Sequence, residues 1–125
     1  EELNIPLVAW GALTKGLLSG KFSQQSEFPD DDTRHRDPDF LGERFLSNLK
    51  VADGLKTLST RLGRSPAQIA IRWLLDSPGT TAVLAGAKTT AQVLENCQAC
   101  GWQLSEDDYQ FLQRLTDDAR SPTAD

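Results

Sequence analysis

Two short segments of the chain combine glycine with lysine directly after an apolar run. The first is GALTKGLLSGKF, residues 11–22, which follows LVAW, and the second is GAKTT, residues 86–90, which follows TTAVLA. Glycine lets backbone N–H groups approach a ligand closely, and lysine supplies positive charge, so both segments could bind a phosphate. Ordinary turns use the same residues, and the first segment by itself leaves that interpretation open.

The first segment is not the P-loop of NTPases. That motif has the spacing G-x-x-x-x-G-K-[ST]. Here only three residues lie between Gly16 and Gly20, and Phe22 follows Lys21 where a hydroxyl should bind Mg²⁺. Any anion at this turn must therefore be held in another way.

The second segment leads into a predicted helix over residues 90–99. Free N–H groups and the positive end of the helix dipole favour a phosphate at such a terminus. Thr89 and Gln92 have the spacing of a capping box, which would explain both residues without a ligand. Both interpretations stay open for these two side chains.

The only cysteines, Cys97 and Cys100, are spaced C-x-x-C, as in redox pairs and zinc half-sites. No second pair of cysteines or histidines completes a metal site. We therefore predict two small apolar residues packed on a helix face. Free cysteines are typical of a reducing cytosol, so we expect a cytoplasmic protein.

Three other features could be mistaken for catalytic or metal-binding groups. The single histidine, His35, lies between two arginines and is predicted to be a solvated loop residue. Tyr109 has the position of a hydrophobic staple with Leu104 at the start of the last helix. The acidic run at residues 30–32 lacks convergent ligands and is predicted to be solvated. We nominate no catalytic and no metal-binding residue.

Composition excludes several classes of protein. The chain has 125 residues, of which 38% are hydrophobic and 25% charged, as in a globular domain or a piece of one. Its net charge is −5 and no basic stripe occurs, so nucleic acid and membrane surfaces are not expected partners. Its apolar runs are far shorter than the roughly 20 residues that span a bilayer, and no leader peptide opens it.

The chain contains no methionine, and its opening EELNIPLVAW is typical of a helix end that runs into a strand. We therefore expect further sequence before residue 1.

Hydrophobic periodicity and capping residues predict the order of elements. A strand over 5–10, buried on both faces, precedes a long polar loop over 22–41, which composition suggests is functional or mobile. The remaining predicted elements are a helix over 43–62 ended by Gly63, a helix opened by the box Ser65–Gln68 and ended by SPG at 77–79, a strand over 80–86, helices over 90–99 and from Ser105, and a flexible tail over 121–125.

This alternation of strands and helices predicts an α/β fold with a parallel sheet. Two parallel strands are not stable alone, because each requires helices on its faces and strands at its edges. We therefore interpret residues 1–125 as one partial domain of a sheet or barrel. Its open edges would need an oligomer or a missing N-terminal half to cover them.

Four ordered motifs carry a family resemblance. They are IPLVAWGALTKGLLSGKF, RHRDPDF, SPAQIAIRWLLDSPGTTAVLAGAKTTAQVLEN and LSEDDYQFLQRL. Together they resemble the C-terminal part of the aldo-keto reductases, from the seventh barrel strand to the closing helix. The resemblance implies the C-terminal portion of a (β/α)₈ TIM barrel. It also implies a parent enzyme that transfers hydride from NADPH to a small aldehyde or ketone.

The resemblance also implies a role for each matching residue. Trp10 would stack on the nicotinamide, although a core tryptophan is the alternative. The residues that would wrap the pyrophosphate are Gly11, Leu13, Lys15 and Gly16. Those near the 2′-phosphate of NADP(H) would be Gly86, Ala87, Lys88 and Thr89. Further contacts to the adenosine would come from Gln92, Glu95 and Asn96.

The family's catalytic Asp, Tyr, Lys and His belong to the first half of the barrel and are absent from this chain. We therefore expect the fragment alone to be inactive. A further hypothesis is that the long loop from Gly16 to Leu41 folds over the cofactor as a clasp. The alternative is a truncated, non-catalytic homologue that senses a nucleotide or binds another protein. A small C-x-x-C redox protein is the least favoured interpretation.

Overall fold

The computed structural model describes residues 5–120, and every structural statement below concerns those residues. The flexible tail predicted over 121–125 and the helix end predicted at residues 1–4 lie outside them. The elements are β1 (Leu7–Ala9), 3₁₀ segments at Thr14–Ser19, Thr33–Arg36 and Pro38–Phe40, α1 (Gly42–Leu62), α2 (Pro66–Asp76), β2 (Thr80–Val83), α3 (Thr90–Cys97) and α4 (Glu106–Arg120).

The strands β1 and β2 are parallel neighbours. Leu7 pairs with Thr80 and Ala9 with Val83. The pairing continues one residue further, because the Leu84 N–H donates to the Ala9 carbonyl at 2.8 Å. The predicted α/β class with two parallel strands is confirmed. Since parallel strands end at the same edge of a sheet, both glycine–lysine segments begin at that edge.

The prediction of a strand buried on both faces is wrong for this chain. Leu7 is 54% exposed and Val8 53% exposed, and β1 is shorter than residues 5–10. Within the described residues β1 has only β2 beside it, so one edge and much of its surface have no partner. An apolar strand is typical of a complete parallel sheet, in which neighbouring strands and helices bury it on both faces. The described residues do not provide all of those neighbours.

The helix boundaries follow local signals in the sequence. Gly63 ends α1 in the left-handed conformation, with φ 62° and its N–H bonded to the Ser59 carbonyl. At the start of α2 the Gln68 N–H donates to Ser65 Oγ at 3.2 Å, and the Ser65 N–H donates to Gln68 Oε1 at 3.0 Å. The capping box predicted for α2 is therefore confirmed.

The main core lies between α1, α2 and α4. Its buried residues are Leu55, Leu58, Ile69, Ala70 and Leu112. Helix α4 packs closely on α1 at Gly54, where an added Cβ would fall well inside van der Waals contact with Leu115 Cδ1 and 3.5 Å from Phe111 Cε1. The helices thus form a packed layer that supports the two strands.

The loop over 22–41, which the composition predicts to be functional or mobile, packs through its aromatic residues. Its three phenylalanines meet edge to face, with ring centroids 5.3 Å apart for Phe22–Phe28 and 5.2 Å for Phe28–Phe40. Phe45 of α1 completes this aromatic cluster by stacking on Phe40. Arg34 lies over the rings of Phe22 and Phe28, at 5.2 and 5.0 Å. Burial of aromatic surface therefore packs the loop over 22–41 although most of its residues are polar.

The prediction that the cysteines pack on a helix face is also wrong. Cys97 and Cys100 are both exposed and free. The buried residue at this point is Ala99, which is 0% exposed. A turn that directs residue 99 inward directs residues 97 and 100 toward solvent.

Among the described helices, none has the length and apolar character required to cross a membrane.

Replacement of Gly54 by alanine tests the contact between α1 and α4. Alanine favours a helix by about 1 kcal/mol over glycine, but overpacking against Leu115 costs about 1–3 kcal/mol. We expect Gly54→Ala to lower the free energy of unfolding, measured by urea denaturation. In a Leu115→Ala background the same change should instead raise it. A destabilising effect of equal size in both backgrounds would contradict the packing argument.

Candidate functional site

The segment after β1 forms a tight left-handed turn. Gly11 and Gly16 have φ of 68° and 90°, and Thr14 and Lys15, which are not glycines, have φ of 45° and 52°. The Thr14 N–H donates to the Gly11 carbonyl at 2.8 Å, and the Gly16 N–H donates to the Leu13 carbonyl at 2.9 Å. Strained backbone of this kind occurs where surrounding contacts enforce it, often at ligand sites.

Trp10 lies at the edge of this turn and is 85% exposed. That exposure argues against the alternative of a core tryptophan within this chain. Leu13 has the opposite environment, because its side chain packs against the helical core and against Ala12 and its neighbours. Any ligand contact from Leu13 would therefore come from its backbone.

Lys15 forms an ion pair with Asp37 of the loop, with Nζ 2.5 Å from Oδ2. Lys15 holds the pKa of Asp37 below its usual range, first through this hydrogen bond and then with help from the Asp39 backbone N–H. The Lys15 side chain stays 51% exposed. Its ammonium group is thus held at the surface of the turn, where a phosphate could share it.

The segment after β2 has a different hydrogen-bond pattern from the one predicted. Thr89 Oγ1 accepts from the Gln92 N–H at 3.2 Å, as expected for an N-cap. Gln92 Oε1, however, accepts from the Lys88 N–H at 2.6 Å and not from Thr89, so the predicted reciprocal box is displaced by one residue. Because these two N–H groups are occupied, Lys88 can meet an anion only through its exposed ammonium group.

The other predicted adenosine contacts also take part in the local structure. Asn96 Nδ2 donates to the Gly86 carbonyl at 3.4 Å, which ties α3 to the turn before it. The Glu95 carbonyl accepts from the buried Gln68 amide at 3.2 Å, and the same amide donates to Gln98 Oε1. These bonds fix the position of α3 on α2. Contacts of Gln92, Glu95 and Asn96 with a ligand stay predictions.

Both turns have open space in front of a glycine. A Cβ added at Gly11 or at Gly86 would meet no atom within 4 Å. Gly86 has no positive φ, so neither packing nor backbone conformation within the chain requires glycine there. With exposed lysines in both segments, these openings fit a ligand that carries phosphates.

The loop over 22–41 approaches both turns. Asp37 contacts Lys15 of the first turn. Near the second turn, both carboxylate oxygens of Asp32 accept hydrogen bonds from Arg34 Nε. The hydrogen bonds from Arg34 are the main reason that the pKa of Asp32 is lowered to about 2, and the charge of Lys88 makes a smaller contribution. Sequence reasoning missed Asp32, Arg34 and Asp37. The alternation of acidic and basic residues in DDDTRHRD was the available signal.

A cavity of about 380 Å³ lies behind the first turn. It is bounded by Trp10, Gly11 and Thr14 on one side and by α1, α2 and α4 on the other. No residue of the second turn lines it. The surface that unites the two turns is therefore the exposed edge of the sheet, outside this cavity.

His35, Asp32 of the acidic run and Tyr109 each contact other residues of the chain. His35 Nδ1 lies 2.9 Å from the Phe28 carbonyl oxygen, so this histidine is tied to the loop and not merely solvated. Asp32 caps the 3₁₀ segment that holds His35, so the acidic run is not wholly solvated either. The Tyr109 ring stacks on Trp73, and its hydroxyl donates to Ser77 Oγ at 3.3 Å. Across residues 5–120, no group of potential metal ligands converges.

Three comparisons with known proteins, by family model, by sequence and by structure, agree on one family. The model of the aldo/keto reductase family matches residues 1–117. Aldo-keto reductase YhdN of Bacillus subtilis is 34% identical over 122 residues, and aldo-keto reductase yakc [NADP(+)] of Schizosaccharomyces pombe is 27% identical over 118. The structure resembles that of the glycerol dehydrogenase AKR11B4 from Gluconobacter oxydans, with a TM-score of 0.83 and 31% identity.

These matches cover nearly the whole chain but only part of each relative. The alignments include 97% of this chain with YhdN, 94% with yakc and 99% with the glycerol dehydrogenase structure. The corresponding shares of those proteins are 37%, 35% and 38%. The chain therefore spans little more than a third of the length of the relatives it matches.

The ion pair between Asp32 and Arg34 predicts how the loop responds to pH. Because the pKa of Asp32 is lowered from 3.8 to about 2, its stabilising effect is present above pH 4 and is lost as pH falls through about 2. NMR titration of the Asp32 carboxyl carbon should show this midpoint. Arg34→Gln should raise the midpoint toward 3.8, whereas Asp30→Asn, at a side chain 93% exposed, should not. An Asp32 midpoint unchanged by Arg34→Gln would refute the assignment.

Proposed function

Because the chain belongs to the aldo/keto reductase family, we propose that it is the NADP(H)-binding part of an oxidoreductase that reduces aldehydes or ketones. The observation that carries the proposal is the position of the two glycine–lysine turns, which follow adjacent parallel strands at one edge of the sheet. In a (β/α)₈ barrel the ligand binds at the edge where the strands end. The name of the yeast relative, which includes NADP(+), supports the choice of cofactor.

The two turns divide the dinucleotide between them. The turn after β1 takes the pyrophosphate, with Lys15 supplying charge and Gly11 and Gly16 allowing close approach of the backbone. Trp10 offers a flat apolar face to the nicotinamide, which fixes the side of the ring that meets substrate. When bound, NADPH supplies the hydride that reduces the carbonyl group.

The turn after β2 takes the adenosine end. Lys88 pairs with the 2′-phosphate through its ammonium group, and Thr89 can add a hydroxyl contact while it caps α3. Gln92, Glu95 and Asn96 lie further along α3, toward the adenine. The bonds from Gln92 to the Lys88 N–H and from Asn96 to the Gly86 carbonyl hold this turn in shape before a ligand arrives. Preorganisation of this kind reduces the entropy cost of binding.

Catalysis requires residues from outside this chain. In the family a tyrosine donates the proton, and lysine and aspartate tune its pKa, with a histidine nearby. We therefore propose that the fragment alone does not turn over a carbonyl substrate. The remaining two thirds of a relative's length is also the source we propose for the strands that cover β1, in a cytoplasmic parent protein.

The exposed apolar surface of β1 also favours the alternative of a non-catalytic interaction module. Leu7 and Val8 of β1, with Ile5 just before it, present an apolar surface that another chain could cover. The two functions differ in one observable, which is whether the gene encodes the catalytic Asp, Tyr, Lys and His upstream of residue 1. Their absence would favour the interaction module.

Loss of the Lys88 charge tests the assignment of the 2′-phosphate. We expect Lys88→Ala to weaken NADPH binding by roughly 1–3 kcal/mol at low salt, the strength of one charge-assisted contact set, and to leave NADH binding almost unchanged. Tryptophan fluorescence titration measures both, since Trp10 should respond to the nicotinamide. Lys50→Ala, at an exposed lysine of α1, is the matched control. Equal losses for both coenzymes would contradict the assignment.

Two glycine substitutions, Gly86→Ala and its control Gly63→Ala, test whether a ligand uses the open space at the second turn. Gly86→Ala should leave the free energy of unfolding within about 0.5 kcal/mol, because its Cβ meets nothing in the chain. It should nevertheless weaken NADPH binding severalfold by filling room that the ligand needs.

Gly63→Ala serves as the reverse case. Its Cβ also meets nothing, but φ of +62° makes alanine costly by about 1 kcal/mol, and Gly63 belongs to neither glycine–lysine turn. It should lower stability and leave NADPH binding intact. If Gly86→Ala bound NADPH as well as the unaltered chain, the second turn would not be part of the site.

A further inference from the structure

The C-x-x-C motif is not used by the proposed function, and its geometry suits a disulfide. Cys97 ends α3, and the Cys100 N–H donates to the Cys97 carbonyl at 3.1 Å, which closes a four-residue turn. Residues i and i+3 of such a turn have Cα atoms less than about 7 Å apart. Disulfides require a Cα separation of about 4.4–6.8 Å. Both thiols are free and exposed, so an oxidant can reach them.

The backbone around the motif is anchored at several points. Ala99, between the cysteines, is 0% exposed and packs in one cluster with Ala12 and Ile71. The Ala99 carbonyl accepts from Arg72 Nη1 at 3.4 Å, and Trp102 Nε1 donates to the Gln98 carbonyl at 2.9 Å. These contacts hold the backbone of the turn in place against α2.

We propose that Cys97 and Cys100 form a reversible thiol–disulfide modification site whose oxidant is hydrogen peroxide. One thiolate attacks the peroxide, an S–O bond forms as the O–O bond breaks, and water leaves after protonation. The second thiol then attacks that sulfur, the S–S bond forms, and the S–O bond breaks with release of a second water. The two sulfurs supply the two electrons, and a dithiol reductant reverses the step.

The disulfide restrains a turn that lies behind both halves of the candidate site. On one side, Ala99 packs on Ala12, which stands between Gly11 and Leu13 of the first turn. On the other, Cys97 directly follows Glu95 and Asn96 on α3. Transient disulfides of cytosolic proteins commonly sense oxidants, and this position would couple such a signal to the nucleotide-binding edge. The proposal does not rest on the proposed function, because the disulfide forms without a nucleotide.

The experiment treats the reduced chain with one equivalent of hydrogen peroxide and measures intact mass and free thiols. We expect the unaltered chain to lose two hydrogen atoms, to lose both titratable thiols, and to form no intermolecular disulfide. Dithiothreitol should restore both thiols. Cys97→Ser and Cys100→Ser are matched controls, which should gain one oxygen or form covalent dimers instead. Covalent dimers or separately oxidised thiols in the unaltered chain would overturn the proposal.

Hydrogen exchange provides a second readout, which also needs no nucleotide. The Cys100 amide, bonded to the Cys97 carbonyl, should exchange severalfold more slowly in the oxidised chain because the disulfide keeps the turn closed. Peroxide-treated Cys100→Ser should show no such protection at residue 100. A disulfide-bonded chain whose turn exchanges as fast as the reduced chain would refute the proposed restraint.

Discussion

The parallel pairing of β1 with β2 is the constraint on which the candidate site depends. Ala9 lies opposite Val83, and the backbone bond from the Leu84 N–H to the Ala9 carbonyl extends the pairing to two residues before each turn. An antiparallel pair would send the two glycine–lysine segments to opposite ends of the sheet. The parallel register brings them to one edge although 63 residues, 23–85, separate them along the chain. The proposed ligand, NADP(H), carries phosphates at its centre and at its adenosine end, so binding by both turns would depend on that arrangement.

The long loop is held against this edge mainly by apolar burial. The ion pairs that accompany it, such as Lys15–Asp37 and Arg44–Asp39, are partly exposed, and exposed pairs contribute about 0–1 kcal/mol. The phenyl rings of the aromatic cluster and the Arg34 guanidinium stacked on them supply contacts that salt screens far less. The charges therefore serve orientation, and the Lys15 ammonium stays available at the surface while Asp37 holds its position.

The chain supports its helices better than its strands. Leu55, Ile69 and Leu112 are almost fully buried between α1, α2 and α4, whereas Leu7 and Val8 of β1 are about half exposed. A helical layer can bury one face of each helix within a short chain, but a parallel strand needs neighbours on each edge and cover on each face. This contrast, with the limited share of its relatives that the chain spans, locates the surface where the rest of a barrel would join.

The sequence by itself determined the features that depend on neighbouring residues. The cap at Gly63, the box from Ser65 to Gln68, the helix boundaries and the family resemblance all follow from residue types a few positions apart, because capping bonds and helical periodicity are local. Only the tertiary structure decided the features that depend on distant segments. The phenylalanine cluster that orders the loop, the approach of Asp37 to Lys15, the burial of Ala99 with its flanking cysteines outside, and the displaced bond of Gln92 each depend on which element packs alongside. Such contacts depend on shape and burial in the folded chain, so local patterns of residue types are not sufficient to predict them.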